Sequence, residues 1–484
     1  MIPATALSAP AETVRIGFAS LPPGGGNPFT SPSRTSWYTW RAIFDTLTQL
    51  GEKTMPVPGL AVAWTNTGPE TWVVKLRPDT VFSNGEPLNA AAVLASIAYL
   101  QSPAAATDTI ARETENIAGV RALDDLTLEF TTKTPDPMFA RQLATLAVVP
   151  PVYWAKLGRD GFARAPIGTG PFVVEKWDRA RISLKSNALS WRPAASTKAE
   201  IIAMPETSAR VQALLSGRVD IASEIGPDDI DVLKAEGFNV YQRPASSIEV
   251  MAFNTVADGP FKDARVRQAL NYAVNKQAIA DTIMHGLVPP GTQMTARANP
   301  EYDPGLKPYP YDPAKAKALL VEAGYEKGFW FVFELSTGSH YGAMFQKVAD
   351  DLAQVGVRME IRPIPWPQFV RGVQQGEWKG QAFGFEYETL PTGETLRPFR
   401  LHACTWPHPW YCDAEMTPVI AEAKRTFDQT KRLDLVRQVL RAYRDKAAAL
   451  ILVEPVGLDG LSPKVRHYDQ LNGIIPYHQV TVQK

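Results

Sequence analysis

The densest cluster of reactive side-chain types in the sequence lies between positions 402 and 412, where His402, Cys404, His408 and Cys412 bracket Trp406, Trp410 and Tyr411. Imidazole nitrogens and thiolate sulfurs are the donors of a tetrahedral zinc site, so metal binding is one reading. The other is a covalent staple. Cys404 and Cys412 are the only cysteines, and a disulfide closing so short a loop contributes about 2 to 3 kcal/mol in an oxidising compartment. Pro407 and Pro409 inside the loop weigh against the metal and toward the staple. Trp406, Trp410 and Tyr411 are unusual for a surface hairpin and suit stacking on a sugar or an aromatic group. Just upstream, Arg397 and Arg400 flank Pro398-Phe399. An ion pair is their simplest role, and a bidentate clamp for a carboxylate or phosphate is the functional alternative.

Other chemistry finds little support. There is no G-x-S-x-G elbow, no H-E-x-x-H pair and no Walker loop. Gly168-Thr169-Gly170 resembles a phosphate cradle only superficially, because no Lys-Ser/Thr follows and Pro171 blocks the helix whose N-terminus would hold the anion. The glycines are read instead as backbone geometry that other residues cannot reach. Paired carboxylates can sit anywhere among fifty acidic residues, which leaves a secreted carbohydrate-active enzyme as the rival from another class.

These residues need a scaffold, and the sequence describes one. Val14–Phe18 alternates as a strand, a Pro/Gly-rich loop follows over 21–32, and a helix starts near Ser33 or Ser36 with Trp37, Trp40, Phe44 and Leu47 on one stripe. Trp37 and Tyr38 fall at the loop-to-helix junction, where an aromatic can face a cleft. Thr71–Leu76 reads as a half-buried strand, Ser83-Asn84-Gly85 as a turn, and Asn89 as the cap of a helix carrying Val93, Leu94 and Ile97. Helix, glycine, strand recurs at 208–222, at 312–324 and at 339–361. At 263–274, Asp263 caps a helix whose Val266, Ala269, Leu270, Ala273 and Val274 form a core stripe, with Arg265 and Arg267 read as solvated or structural charges. Repeated α-then-β units imply α/β layers.

A chain of 484 residues exceeds one core, so two or three domains are expected. Fifty basic and fifty acidic side chains cancel, which argues against nucleic acid or an anionic membrane as the partner. No apolar run of about 18 residues is present. Met1–Leu7 has neither a basic segment nor a long apolar one, which fits a cytosolic chain or an exported one already freed of its signal peptide.

Five ordered blocks resemble one family. They are 259–279 with Pro260-Phe261, Asp263 and Arg265-Val266-Arg267-Gln268-Ala269-Leu270-Asn271-Tyr272-Ala273; 59–93 with Trp64, Thr71-Trp72 and Phe82-Ser83-Asn84-Gly85; 166–191 with Gly168-Thr169-Gly170-Pro171; 216–222; and 311–325. Together they are similar to the extracellular solute-binding proteins, family 5, the peptide-, opine- and nickel-type binding subunits of ATP-binding-cassette importers. The resemblance implies an α/β, two-lobed periplasmic binding protein (Venus-flytrap, type II, cluster C) with an extra domain inserted in the first lobe. Lobe one would comprise 12–50, 167–253 and 456–484, the insertion 51–166, and lobe two 254–455. It further implies a monomer without catalysis, cofactor or resident metal, periplasmic once its signal peptide is removed. Such a protein captures a small peptide or peptide-like solute and delivers it to a membrane permease with its ATPase. An opine, an amino-acid conjugate, an oligosaccharide or a nickel complex is the alternative ligand. Peptide-binding relatives hold the ammonium with an Asp in lobe two, whereas the comparable stretch here, Phe383-Gly384-Phe385-Glu386-Tyr387-Glu388-Thr389, has no Asp, so Glu386 or Glu388 would take that part. Family position adds Phe253, Asn254 and Trp366. The expected ligand contacts are thus Trp37, Tyr38, Phe253, Asn254, Trp366, Phe385, Glu386, Tyr387, Arg397, Trp406 and Trp410, with Cys404 and Cys412 as the disulfide.

Overall fold

The computed structural model describes residues 13–30, 34–243, 246–337, 339, 341–470 and 472–483. Met1–Leu7, read above for a leader, and Ser33 lie outside the described residues. The chain forms two compact units. One runs to Pro244 and resumes at Gly457; the other is Ala245–Val456.

The first unit is built on a seven-stranded sheet. Its order is Asn239–Arg243, Gly457–Leu461, Ile221–Ala222, Thr13–Phe18, Lys198–Ala203, Arg181–Ser186 and Phe172–Trp177. Thr13–Phe18 is parallel to both its neighbours, and Val14, Ile16 and Phe18 enter the core. A four-stranded antiparallel sheet, Ala61–Gly68, Thr71–Leu76, Thr127–Thr132 and Ile117–Asp124, belongs to the same unit. Beside it runs the helix Ala90–Leu100, where Asn89 Oδ1 accepts the Ala92 N–H at 3.2 Å as the cap expected. Gly168 and Gly170 are needed for a reason other than the one read from sequence. Neither has a positive φ; each lies so close to the Ile43 backbone that a Cβ would collide with it.

The second unit centres on a five-stranded sheet ordered Val357–Ile364, Phe329–Ser336, Ala382–Glu388, Ser247–Phe253 and Ala449–Val453. The first three strands are mutually parallel and the last two pairings are antiparallel. Because Ser247–Phe253 is hydrogen-bonded on both sides within this sheet, the chain changes unit before it, not after Phe253 as the sequence reading set it. One sheet face packs Met251, Phe253, Phe331 and Phe333 against Val266, Leu270 and Phe345. The other packs Ile248, Val250, Phe383 and Tyr387 against Trp410, Val436 and Leu440.

The helix Ala264–Ala273 forms as its sequence dictates, with Asp263 Oδ1 accepting the Arg265 N–H at 2.8 Å and the apolar stripe buried. Arg265 stays half exposed and paired with Asp263. Arg267 is the structural one of the two. It is 5% exposed and donates to the carbonyls of Phe261, Lys262, Lys446 and Ala447, so it ties the helix to the turn before Ala449–Val453. Among the described residues no helix is long and apolar enough to cross a membrane.

Candidate functional site

Cys404 and Cys412 are joined in a disulfide, as expected, which removes both thiolates from the zinc alternative. His402 is fully buried, and its Nε2 lies 2.6 Å from the Tyr387 hydroxyl. Burial pulls the imidazole down to about 3, so the ring is neutral and structural. Around it Tyr387, Tyr411, Tyr443 and Trp410 close a ring cluster with centroids 5.2 to 5.6 Å from His402. The staple therefore anchors a loop whose inner side chains complete a core. Trp406, on the same loop, is half-buried.

The segment Phe385-Glu386-Tyr387-Glu388 was read as one ligand-facing stretch, and the pleat divides it. Side chains alternate along a strand, so Phe385 and Tyr387 point to one face and Glu386 and Glu388 to the other. On the aromatic side Tyr387 has no exposed surface and Trp410 is 1% exposed; both are packing residues instead of the contacts expected. Phe253 is likewise fully buried, 4.7 Å from Phe261. Asn254 accepts the Ala257 N–H at 3.2 Å and shapes the turn that follows. Of the expected contacts, Trp366 is exposed, at 61%, and stacks on Phe369 at 5.2 Å, which stacks in turn on Phe385 at 6.3 Å. Three rings thus form a platform with its outermost member in solvent.

On the acidic side the two glutamates differ. Glu388 is held in place, accepting from the Ser246 hydroxyl at 3.1 Å and the Leu390 N–H at 2.8 Å. Glu386 is exposed and accepts from the Ser247 hydroxyl. Directly across from Glu386, on the neighbouring strand, stands Glu249, which the sequence reading missed. Burial first and Glu386 second push its carboxyl well above the usual carboxylate range. Its one local signal was a lone acid in an otherwise apolar run, Ser247–Phe253. Arg397 lies half-buried at the start of the turn Pro398–His402, and its Nη1 donates to the Glu388 carbonyl at 3.4 Å.

Trp37 and Tyr38 belong to the first unit, on the helix Arg34–Ile43. Tyr38 is buried against Phe18, and its hydroxyl accepts from Arg243, which also pairs with Asp459 at 3.2 Å. Trp37 is half-buried under the Arg41 guanidinium, 5.0 Å from its ring. Burial, with Arg192 nearby, pulls Arg41 down to about 10.

The acidic edge, the aromatic platform and the stapled loop sit on a fold seen elsewhere. The structure of the periplasmic binding protein DppA from Helicobacter pylori in complex with the peptide STSA superposes with a TM-score of 0.83 over 98% of this chain and 99% of that one, at 22% identity. NikA from Staphylococcus aureus in complex with Ni(L-His)2 matches with a TM-score of 0.82 over 98% and 100%, at 17% identity. In sequence, the chain is 30% identical over 360 residues to di/tripeptide-binding protein 1 of Pseudomonas aeruginosa (strain UCBPP-PA14). That alignment spans 69% of this chain and 65% of the relative's length. Residues 55–403 match the model of the bacterial extracellular solute-binding proteins, family 5 (middle region), which covers well over half of the sequence. The mixed α/β fold in two units, the ordered motif blocks and this match agree: the chain belongs to the bacterial extracellular solute-binding proteins of family 5.

Proposed function

We propose that this protein is the periplasmic binding subunit of an ATP-binding-cassette importer, taking up a small peptide or peptide-like solute that carries a free ammonium. It passes the solute, chemically unchanged, to a membrane permease driven by its ATPase. The observation that carries the reading is Glu386, an exposed carboxylate at the end of a sheet strand, oriented by the Ser247 hydroxyl on a family 5 fold. An ammonium meeting such a carboxylate makes charge-assisted hydrogen bonds, about twice as strong as neutral ones. Trp366, exposed and backed by Phe369, offers an apolar surface for a solute side chain. The relative named di/tripeptide-binding protein 1 supports peptide as the solute class.

The test is a thermal-shift and calorimetry panel of dipeptides, tripeptides, opines and oligosaccharides, with each ligand recovered and weighed afterward. Tight binding of an unmodified peptide or amino-acid conjugate is expected. Turnover of the bound solute, or binding confined to sugars, contradicts the reading.

A further inference from the structure

We infer that the first unit holds a halide-sized anion, chloride in ordinary surroundings, in a small cavity walled by Arg41 and Trp37. The inference stands on the first unit alone and goes beyond the solute-binding reading.

Trp37 and Arg41 lie four residues apart on the helix Arg34–Ile43, so one helical turn puts them on the same face. With Pro28, Phe44, Thr46 and Thr145 they line a cavity of about 20 Å³. One water takes about 10–15 Å³ on the same measure, so the cavity admits a single particle of water or halide size. A carboxylate, phosphate or sulfate does not fit.

Arg41 is 4% exposed, and the other buried arginines show how this fold treats such a group. Arg243 pairs with Asp459, and Arg432 with Glu301 and Glu394. Arg210 donates to the carbonyls of Met204, Pro205, Ser223 and Glu224, and Arg267 to four carbonyls of its own. Arg41 receives less: its Nη1 donates to the Thr46 hydroxyl at 2.7 Å and its Nη2 to the Ala144 carbonyl at 3.3 Å, and its Nε has no acceptor among the described residues. The group is still a cation at neutral pH, since burial lowers it only to about 10. Asp45 is the carboxylate that offsets it, and Asp45 is already committed. It is fully buried, 2.6 Å from Arg192, and accepts from Thr169 and Trp191 at 2.9 Å. Two guanidiniums facing one carboxylate leave a net positive charge in the interior, a costly state that an anion relieves.

The groups left over at the cavity say which kind of particle suits it. Trp37 Nε1 is buried without an acceptor among the described residues, like Arg41 Nε, and both are donors that cannot accept. The Thr145 hydroxyl is spent on the Gln142 carbonyl at 2.7 Å, and the Thr46 oxygen on Arg41. A water brings donors of its own and no charge. A halide only accepts, and its hydrogen bond from the Arg41 guanidinium is charge-assisted.

The experiment melts the intact protein in sodium gluconate, whose anion is too large to enter, with chloride or bromide replacing it at constant ionic strength. The wild-type melting temperature is expected to rise by about 2 °C or more between about 1 mM and about 100 mM chloride, and bromide to act likewise. Wild type should also broaden the chloride NMR line, and bromide should reverse the broadening. Arg41→Met is expected to lose both effects. Trp37→Phe keeps the ring and removes the N–H, and it should lose about half the shift or more, which keeps the test decisive if Arg41→Met does not fold. A folded Trp37→Phe protein with the full shift overturns the inference, as do equal shifts in all three proteins, which mean anions acting at the surface. Wild type with neither shift nor broadening also overturns it, and the cavity is then a water site only.

Discussion

Glu301 and Glu394 share the guanidinium of Arg432, whereas Glu249 faces Glu386 across two hydrogen-bonded strands. Both regions lie in the second unit, and both take carboxylates out of water. In the first, the chain supplies its own cation, and Glu301 also accepts the Thr395 N–H at 3.1 Å. In the second, Glu249 meets only burial and a like charge. The first region neutralises its own charge within the fold; the second holds a carboxyl whose ionised form burial and Glu386 disfavour, at some expense of stability once it ionises.

The contrast is broken most severely at Arg432. Arg432→Met leaves Glu301 and Glu394 buried without their cation, and the loss expected is about 3–5 kcal/mol in urea unfolding. Adding Glu301→Gln and Glu394→Gln should return much of it; no return would mean that Arg432 stabilises through packing alone. Next comes a region that uses no charge. Replacing Cys404 and Cys412 by serine, or reducing the disulfide, should cost about 2 to 3 kcal/mol, read as a lower melting temperature in reductant.

Glu249→Gln should act in the opposite direction. Its carboxyl titrates above its unfolded value of about 4.5, so the folded state holds the proton more tightly. The stability this confers is present below the unfolded value and is lost as pH rises through the raised one. The empty wild-type protein therefore loses stability relative to Glu249→Gln as pH climbs above about 4.5, and at neutral pH the variant should be more stable by about 1 kcal/mol. Melting curves of both proteins across pH 4–8 check this, and parallel curves would place Glu249 in a compensated environment. Smallest is Trp366→Ala, whose side chain is mostly in solvent: folding stability should change by less than about 0.5 kcal/mol, while peptides with large apolar side chains lose affinity.

The sequence carried the scaffold further than the site, for physical reasons. Asp263, Asn89 and Asp312 each precede an apolar period of helical spacing, and each caps the helix it announces. These are local signals that tertiary context leaves intact. Whether Arg267 is solvated or structural was not decidable locally, because four backbone carbonyls, two of them from a distant turn, replace water around its guanidinium. Phe385, Glu386 and Tyr387 were grouped by adjacency, although a strand sends neighbours to opposite faces. Glu249 escaped because its meaning comes from strand pairing with a segment far along the chain. The staple at Cys404 and Cys412 was legible from spacing, but not that Trp410 beside it would be core.

The most direct test of the central claim is native mass spectrometry of the wild-type protein beside Glu386→Gln, each incubated with the same peptide mixture. The account predicts a wild-type adduct, released intact on denaturation, whose mass belongs to an amine-bearing solute, and its loss or strong reduction in the variant. An adduct of equal abundance in both proteins, or a wild-type adduct that lacks a cationic nitrogen, would contradict it.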